Sequence, residues 1–133
     1  MSSIRYHTEL RITPQQLAEV FDRSGINRPS TDLARMEQML AHADLLVTAW
    51  DGEELIAVAR ALTDFCYCCY LSDLAVDRAY QQHGIGRKLL QTVQDKIGAQ
   101  TALLLLAAPS AMAYYPKVGF TAADNAWIIQ RTW

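Results

Sequence analysis

A glycine-containing loop that separates an apolar run from an amphipathic stretch constrains this chain most. The apolar run ends at Val76, and the loop Gln81-Gln82-His83-Gly84-Ile85-Gly86 follows it closely. Apolar residues then recur at helical spacing as far as Gly98: Leu89, Leu90, Val93 and Ile97. The pattern predicts a strand, a loop and a helix whose first amides bind an anion such as a pyrophosphate. The alternative is a tight strand-to-helix turn that binds nothing.

Two common phosphate-binding motifs do not match this loop. A nucleotide-hydrolase loop needs Gly-x-x-x-x-Gly-Lys-Ser/Thr, whereas here Gly84 and Gly86 are two apart and Leu89 follows Lys88. A dinucleotide loop needs a third glycine, where Leu89 stands, and an acidic residue about 20 positions on, where a leucine run lies. The loop therefore predicts a phosphate ligand of another class.

The N-terminal half alternates strand-like and helical patterns. It predicts a strand over residues 4–12, a helix that starts at the capping box Thr13-Pro14-Gln15-Gln16 and stops at Gly25, and a second helix capped by Ser30 or Thr31 and ending near Ala43. Residues 45–50 and 55–62 are predicted to form a hairpin, because an Asp51-Gly52 pair joins them.

The C-terminal half predicts further strands around the helix that follows the loop. The predicted strands are residues 66–76, a buried strand at the sheet centre over residues 101–107, and two final strands over residues 120–123 and 127–133. A short helix is expected between Pro109 and Gly119, distorted by Pro116. The whole chain, residues 1–133, is therefore predicted to be a single α/β domain with a mixed sheet.

Size, charge and hydrophobicity exclude several classes of protein. At 133 residues the chain has room for one hydrophobic core, and a hydrophobic fraction of 51% is typical of a globular protein. A net charge of -2 argues against nucleic acid as a partner, and no apolar run is long enough for a membrane span. The N-terminus lacks the pattern of a signal peptide, so we expect a cytoplasmic protein.

Cys66, Cys68 and Cys69 lie within four positions. Their odd number excludes a fully paired disulfide framework within the chain. A zinc site would need a second pair of ligands, and strand alternation would point Cys66 and Cys69 to opposite faces. We therefore expect packed, reduced cysteines and no metal.

The loop resembles the signature Gln/Arg-x-x-Gly-x-Gly/Ala of the GNAT superfamily of N-acetyltransferases. Two further segments are similar to that family: Leu74-Ala75-Val76-Asp77 to its strand end before the loop, and Tyr114-Tyr115-Pro116-Lys117-Val118-Gly119-Phe120 to its late aromatic-Tyr-x-x-x-Gly-Phe signature. The resemblance covers nearly the whole chain. It implies an α/β (α+β) fold with a mixed, mostly antiparallel central sheet, a splayed strand pair and helices on both faces.

The resemblance also implies a reaction, in which an acceptor primary amine attacks the thioester of acetyl-CoA directly in a ternary complex. The residues that it places at acetyl-CoA are Leu74, Ala75, Val76, Gln81, Gln82, His83, Gly84, Ile85, Gly86, Arg87 and Lys88. A main-chain N–H near Ala75 or Val76 is expected to stabilise the oxyanion.

Tyr115 matches the family's general acid, which protonates the departing thiolate. Its alternative role is packing, which Tyr114 also fits, and Pro116 is a departure that can re-aim the Tyr115 side chain. Asp73 is the nearest candidate for a base or an acceptor contact, with a hydrogen-bonded structural role equally open. His83 titrates in the right range, but its place in the loop favours solvent or phosphate contact.

The main alternative function is a catalytically silent module that binds acetyl-CoA as a sensor or regulator. A protein that uses the loop only as a turn is a third possibility. The acceptor stays open among small amines, amino acids and protein N-termini, because acceptor pockets have no local sequence code. A homodimer is compatible with the resemblance.

Overall fold

The computed structural model describes residues 3–132 of the chain. Its strands are β1 (Ile4–His7), β2 (Leu45–Asp51), β3 (Glu54–Thr63), β4 (Cys68–Val76) and β5 (Ala102–Leu105). Its α-helices are α1 (Pro14–Ser24), α2 (Leu33–Ala41) and α3 (Ile85–Ile97), with short 3-10 turns at Arg78–Tyr80, Pro109–Ala111 and Tyr115–Val118. The order of these elements matches the predicted sequence of strands and helices up to β5.

Across residues 3–132 the strands form one sheet in the order β1-β2-β3-β4-β5. The pairs from β1 to β4 are antiparallel, and only the β4–β5 pair is parallel. The parallel pairing joins Cys68 to Leu71 with Ala102 to Leu105, whereas β4 continues to Val76. The last part of β4 therefore has β3 on one side and no strand on the other, which is the predicted splayed pair.

Helices cover both faces of the sheet, as predicted. The helix α3 packs one face through Leu89, Leu90 and Val93, which are buried. The helices α1 and α2 pack the other face through Phe21 and Met36, which are fully buried. The sheet centre is β3, where residues from Leu55 to Ala61 are buried.

A β-bulge in β4 moves side chains from one face of the sheet to the other. Ala61 pairs with Leu71 and Arg60 pairs with Asp73, so Ser72 is the extra residue. Before the bulge, Leu71 faces the α3 side, and after it Leu74 and Val76 face that side. The bulge therefore turns Asp73 toward the face covered by α1 and α2, where Ala75 also packs.

The ends of the first elements differ in part from the prediction. The capping box of α1 is confirmed, because Thr13 and Gln16 exchange side-chain to main-chain hydrogen bonds. The predicted cap of α2 is wrong, since Asp32 accepts the capping bond from Arg35, while Ser30 bonds Asp22 instead. The predicted first strand is too long, because pairing with β2 ends at His7.

The C-terminal part departs most from the prediction. Two 3-10 turns replace the expected short helix, because Pro116 cannot donate a helical bond, and Gly119 ends the second turn with φ 100°. No strand forms in residues 120–132, and position 133 of the predicted last strand lies outside the described residues. The predicted central strand is an edge strand, β5. No helix among the described residues is long and apolar enough to cross a membrane.

Candidate functional site

The start of α3 keeps its first main-chain donors unused. Gly84 precedes the helix with φ 81°, and no side chain caps it, whereas Thr13 caps α1 and Asp32 caps α2. The first helical bond runs from the Lys88 amide to the Gly84 carbonyl, at 3.1 Å. Within residues 3–132, the amides of positions 85 to 87 therefore have no protein acceptor. Such amides, at the positive end of a helix dipole, form a site for an anion.

The Gln81 side chain fixes the conformation of the loop before α3 through hydrogen bonds to main-chain carbonyls. The Gln81 side-chain amide donates to the Val76 carbonyl at 2.9 Å and to the Ser24 carbonyl at 3.4 Å. Gln82 has φ 67° and Gly84 has φ 81°, so both adopt the left-handed conformation. Gln81 therefore ties the loop to the end of β4 and to the end of α1.

Two cationic residues, Arg87 and Lys88, lie in the first turn of α3. Arg87 donates to the Lys117 carbonyl at 3.3 Å, which links α3 to the second 3-10 turn. The Lys88 ammonium lies 5.8 Å from the centre of the Tyr6 ring. His83 is exposed, whereas the Ile85 side chain is buried in the core and can offer a ligand only its main chain.

The main chain of β4 faces the splayed gap at alternate residues. The Asp77 amide donates to the Ile56 carbonyl at 2.8 Å, across the β3 side. Because the main-chain groups of an antiparallel strand alternate in direction, the amide of Ala75 also faces β3. The amides of Leu74 and Val76 face the opposite side, beyond the end of β5. This alternation favours Val76 over Ala75 as the donor to an oxyanion.

Tyr114 connects the two sequence signatures in space. A Cβ atom placed on Gly86 would lie 3.0 Å from the Tyr114 hydroxyl oxygen, so glycine permits this close approach. The Tyr115 ring packs edge-to-face against Tyr114 and Phe120, with centroid distances of 5.3 and 5.4 Å. The tyrosine pair therefore lies against the start of α3.

Burial sets the protonation state of Tyr115. Loss of solvent raises its pKa, the neighbouring Tyr114 raises it further, and the positive charge of Arg28 opposes both. Burial also raises the pKa of Tyr114, against the charge of Arg87. Both phenols are therefore protonated at neutral pH, which is the state that a proton donor needs.

Asp73 lies between two arginines inside the protein. Its side chain has no exposed area; one oxygen accepts from Arg28 Nε at 2.5 Å and the other from Arg60 Nε. Arg28 also donates to the Ser72 carbonyl at 2.7 Å, and Arg60 donates to the Ser72 hydroxyl at 2.9 Å. This environment favours the structural alternative for Asp73, because neither oxygen is open to an acceptor amine.

Sequence reasoning missed both arginines of this cluster. Arg60 is buried within an otherwise apolar strand, β3, and that single charge is a signal that a partner must exist. Arg28 precedes Pro29 in a loop and carries no such signal. Its side chain is 27% exposed, so it is the member of the cluster that solvent reaches.

The three cysteines lie at the start of β4 and just before it. The expected packing is found only for Cys69, which is buried; it is wrong for Cys66 and Cys68, which are exposed. The strand begins at Cys68, so the predicted start at Cys66 is wrong; the carboxylate of Asp64 instead accepts main-chain bonds from positions 66, 67 and 68. The part of the chain that the structure describes contains no group of three or more His, Cys, Asp or Glu residues able to hold a metal ion.

Comparison with known protein families identifies the family of this chain. The family described as the acetyltransferase (GNAT) domain matches residues 11–128, which include β2 to β5, the loop and both tyrosines. The chain belongs to the GNAT acetyltransferase family. Members of this family use acetyl-CoA, and the free amides of α3 and the gap beside β4 fit such a ligand.

Solved structures of GNAT proteins share the fold. A probable acetyltransferase of unknown function from meticillin-resistant Staphylococcus aureus is 20% identical, with a TM-score of 0.83, and the match covers 97% of this chain and 100% of that one. A metagenomic aminoglycoside acetyltransferase, solved with trehalose, is 18% identical, with a TM-score of 0.69, over 98% of this chain and 96% of that one. At these identities the likeness shows the GNAT fold alone.

A curated relative is also a GNAT protein. The chloroplastic GCN5-related N-acetyltransferase 1 of Arabidopsis thaliana is 28% identical over 111 residues, which are 79% of this chain and 54% of the relative. The chain therefore spans about half the length of this relative.

Proposed function

We propose that this GNAT protein is an N-acetyltransferase that moves the acetyl group of acetyl-CoA to a primary amine by direct attack in a ternary complex. The observation that carries the proposal is the set of free amides at the start of α3, which lies against the tyrosine pair and beside the splayed end of β4. The start of α3 thus offers an anion site. Beside it lie the β4 amides that face away from β3 and the protonated phenol of Tyr115.

The donor substrate is held mainly by main chain. The amides of positions 85 to 87, with the charges of Arg87 and Lys88, bind the diphosphate, and Gly84 and Gly86 permit its close approach. Leu74 and Val76 pair with the thioester arm, and the Val76 amide stabilises the oxyanion. Gln81 supports the loop through its own hydrogen bonds rather than through the ligand.

Tyr115 is the proposed general acid. Its pKa is raised by burial, so it carries a proton that it can donate to the departing thiolate. Tyr114 holds the start of α3 through its contact at Gly86. We assign no base to Asp73 and propose that it positions Arg28 beside Tyr115, because both of its oxygens are already bonded.

The acceptor is proposed only as an amine. Aminoglycoside acetyltransferases are among the structural neighbours, one of them solved with sisomicin at 16% identity and a TM-score of 0.68. Amino sugars therefore join small amines, amino acids and protein N-termini in the panel to be tested. A single domain over residues 1–133, a cytoplasmic location and a homodimer stay predictions.

An acetylation assay over an amine panel tests the proposal. Wild type, Tyr115→Phe and a matched control, Tyr67→Phe, are incubated with acetyl-CoA and each amine, and acetylated product is measured by mass spectrometry. Tyr67 is 77% exposed, so its variant should match wild type. Tyr115→Phe should lower kcat about 100-fold or more, the effect of removing a general acid.

The outcomes of this assay distinguish an N-acetyltransferase from a catalytically silent module that only binds acetyl-CoA. Acetyl-CoA binding with no acetylated product from any amine would favour the catalytically silent module. Equal kcat for wild type and Tyr115→Phe would remove Tyr115 as the acid while leaving acetyl transfer in place.

A further inference from the structure

Hydrogen bonds from all three of its nitrogens hold the Arg28 side chain in one position. Its Nε donates to Asp73 at 2.5 Å, and its terminal nitrogens donate to the Ser72 carbonyl at 2.7 Å and to the Asn27 carbonyl at 2.8 Å. A long cationic side chain in a loop usually moves among several rotamers, and ordering it around a ligand lowers affinity. Arg28 is already ordered, yet its side chain is 27% exposed. Its guanidinium is therefore preorganised where solvent reaches it.

The positive charge of Arg28 is in surplus within the buried cluster. Both Arg28 and Arg60 donate to the single carboxylate of Asp73. Among the described residues, Asp73 is the only carboxylate in an ion pair with either arginine. Arg60 is 6% exposed, so it depends on this partner, and the two together are neutral. The excess positive charge of the cluster is therefore that of its exposed member, Arg28.

The remaining N–H groups of Arg28 match the oxygens of a carboxylate. Each terminal nitrogen of a guanidinium carries two N–H groups, and in Arg28 each of these nitrogens donates once within residues 3–132. One N–H on each of two neighbouring nitrogens is thus left without a protein acceptor there. Two such donors suit the two oxygens of a carboxylate in a charge-assisted pair. Arg28 can therefore bind a second anionic group without releasing Asp73.

Arg28 connects the tyrosine side of the site with β4. Burial raises the pKa of Tyr115, and the charge of Arg28 opposes that effect, so the two side chains act on each other. The Ser72 carbonyl that Arg28 bonds belongs to the bulge just beyond the last residue of β4 that pairs with β5. Both neighbours border the place of the proposed acetyl transfer. A carboxylate bound to Arg28 would therefore bring an amine a few bonds away from it toward the thioester.

We propose that the acceptor is an amine that also carries a carboxylate, as a free amino acid does, and that Arg28 binds this carboxylate. This inference rests on the proposed acetyl transfer and narrows its acceptor to one chemical class. Polycationic amines, such as aminoglycosides and polyamines, are poor acceptors because the surplus positive charge of the cluster repels them. The proposed specificity thus differs from that of the aminoglycoside acetyltransferase that shares the fold.

Matched pairs of acceptors test the carboxylate preference. A panel of α-amino acids is compared with the corresponding amino acid amides, which lack the negative charge. The kcat/KM is calculated for the unprotonated amine, because the members of a pair differ in amine pKa. In wild type it should be about 10- to 100-fold higher for the acid than for the amide, the range expected for one charge-assisted pair. The aminoglycoside sisomicin should be a poorer acceptor than the preferred acid.

Variants of Arg28 assign this preference to one side chain. Arg28→Gln should lower the acid-to-amide ratio to about 1, whereas Arg28→Lys, which keeps the charge but not the paired donors, should give an intermediate ratio. A purely structural role would lower both rates together and leave the ratio unchanged. The control Arg23→Gln removes an arginine that pairs with Glu19 and Glu54, and it should keep the wild-type ratio. No preference in wild type, or a preference that survives Arg28→Gln, would overturn the proposal.

A binding measurement on wild type distinguishes failure of this proposal from failure of the proposed function. NMR follows the Arg28 Nε–H signal, assigned by its absence in Arg28→Lys, while CoA-saturated protein is titrated with the amino acids and then with their amides. A shift with the acids alone, without acetylated product from any amine, would support the carboxylate site and remove the acetyl transfer. No shift with any acid would overturn the carboxylate site, and product formed in that case would leave the acetyl transfer in place.

Discussion

The two sides of the candidate site are built from different groups. The side formed by the loop, α3 and the end of β4 offers main-chain amides, with two glycines in the turn. The side formed by Tyr115, Arg28 and Asp73 offers side chains, held by a buried ion cluster and by ring packing. The first side follows from local sequence, whereas the second needs contacts between distant parts of the chain.

The difference has an energetic consequence. Loss of a main-chain donor changes ligand affinity, because the helix itself stays folded. Loss of a partner in the ion cluster leaves a charge buried without compensation, which affects the whole domain. Substitutions on the two sides should therefore separate stability from binding.

The largest effect is expected from Asp73→Ala. Arg60 would stay buried, 6% exposed, without its carboxylate. We expect the free energy of unfolding to fall by about 3–5 kcal/mol, as when one partner of a buried pair is removed. Urea denaturation measures it, with Asp124→Ala, at an exposed position, as the control. A loss below about 1 kcal/mol would mean that the cluster does not hold this side together.

The pH dependence of kcat is the next test of the side of the site that Tyr115 forms. The pKa of Tyr115 is raised above its ordinary value of about 10, so the phenol stays protonated through neutral pH and loses its proton only above that value. Activity that depends on the protonated phenol should hold up to about pH 10 and then fall. Tyr115→Phe should lack this alkaline fall; a fall near pH 7 that disappears in the variant would contradict the assigned role.

A pair of glycine variants tests the main-chain side. Gly84 and Gly98 flank α3, both have positive φ near 80°, and a Cβ atom at either would meet no atom within 4 Å. Alanine strains Gly84, which is in the left-handed α conformation, by about 1–2 kcal/mol. It strains Gly98, where ψ is 165°, by about 1–3 kcal/mol. Gly84→Ala should weaken CoA binding about 10-fold, because the strain displaces the amides. Gly98→Ala should leave the dissociation constant unchanged, and equal weakening by both would point to stability alone.

The smallest effect is expected at a helix start outside the site. Thr13→Ala removes the capping box of α1, in which Thr13 and Gln16 bond each other's main chain. The free energy of unfolding should fall by about 1 kcal/mol, with no change in CoA affinity. Thermal unfolding with and without CoA measures both, and a loss of affinity would mean that α1 shapes the site.

The elements that sequence predicted well carry local signals. The capping box of α1, the Asp-Gly turn between β2 and β3 and the glycines around α3 each determine a few neighbouring residues. The free amides of α3 could be predicted for the same reason. Family resemblance supplied the position of Tyr115, which no local pattern indicates.

The missed features depend on distant contacts. Arg28 and Asp73 are 45 positions apart, and only the bulge at Ser72 turns Asp73 toward Arg28. The β5 strand has the sequence of a central strand but the position of an edge strand, because residues 120–132 do not pair with it. Neither fact can be read from the residues near it.

Amide NMR during a titration with CoA tests the central claim most directly. If the start of α3 binds the diphosphate, the amides of residues 85 to 87 should show the largest shifts. Pantetheine, which lacks the diphosphate, should leave them unchanged. Saturable CoA binding that shifts other amide signals and leaves these three unchanged, or no binding at all, would contradict the account.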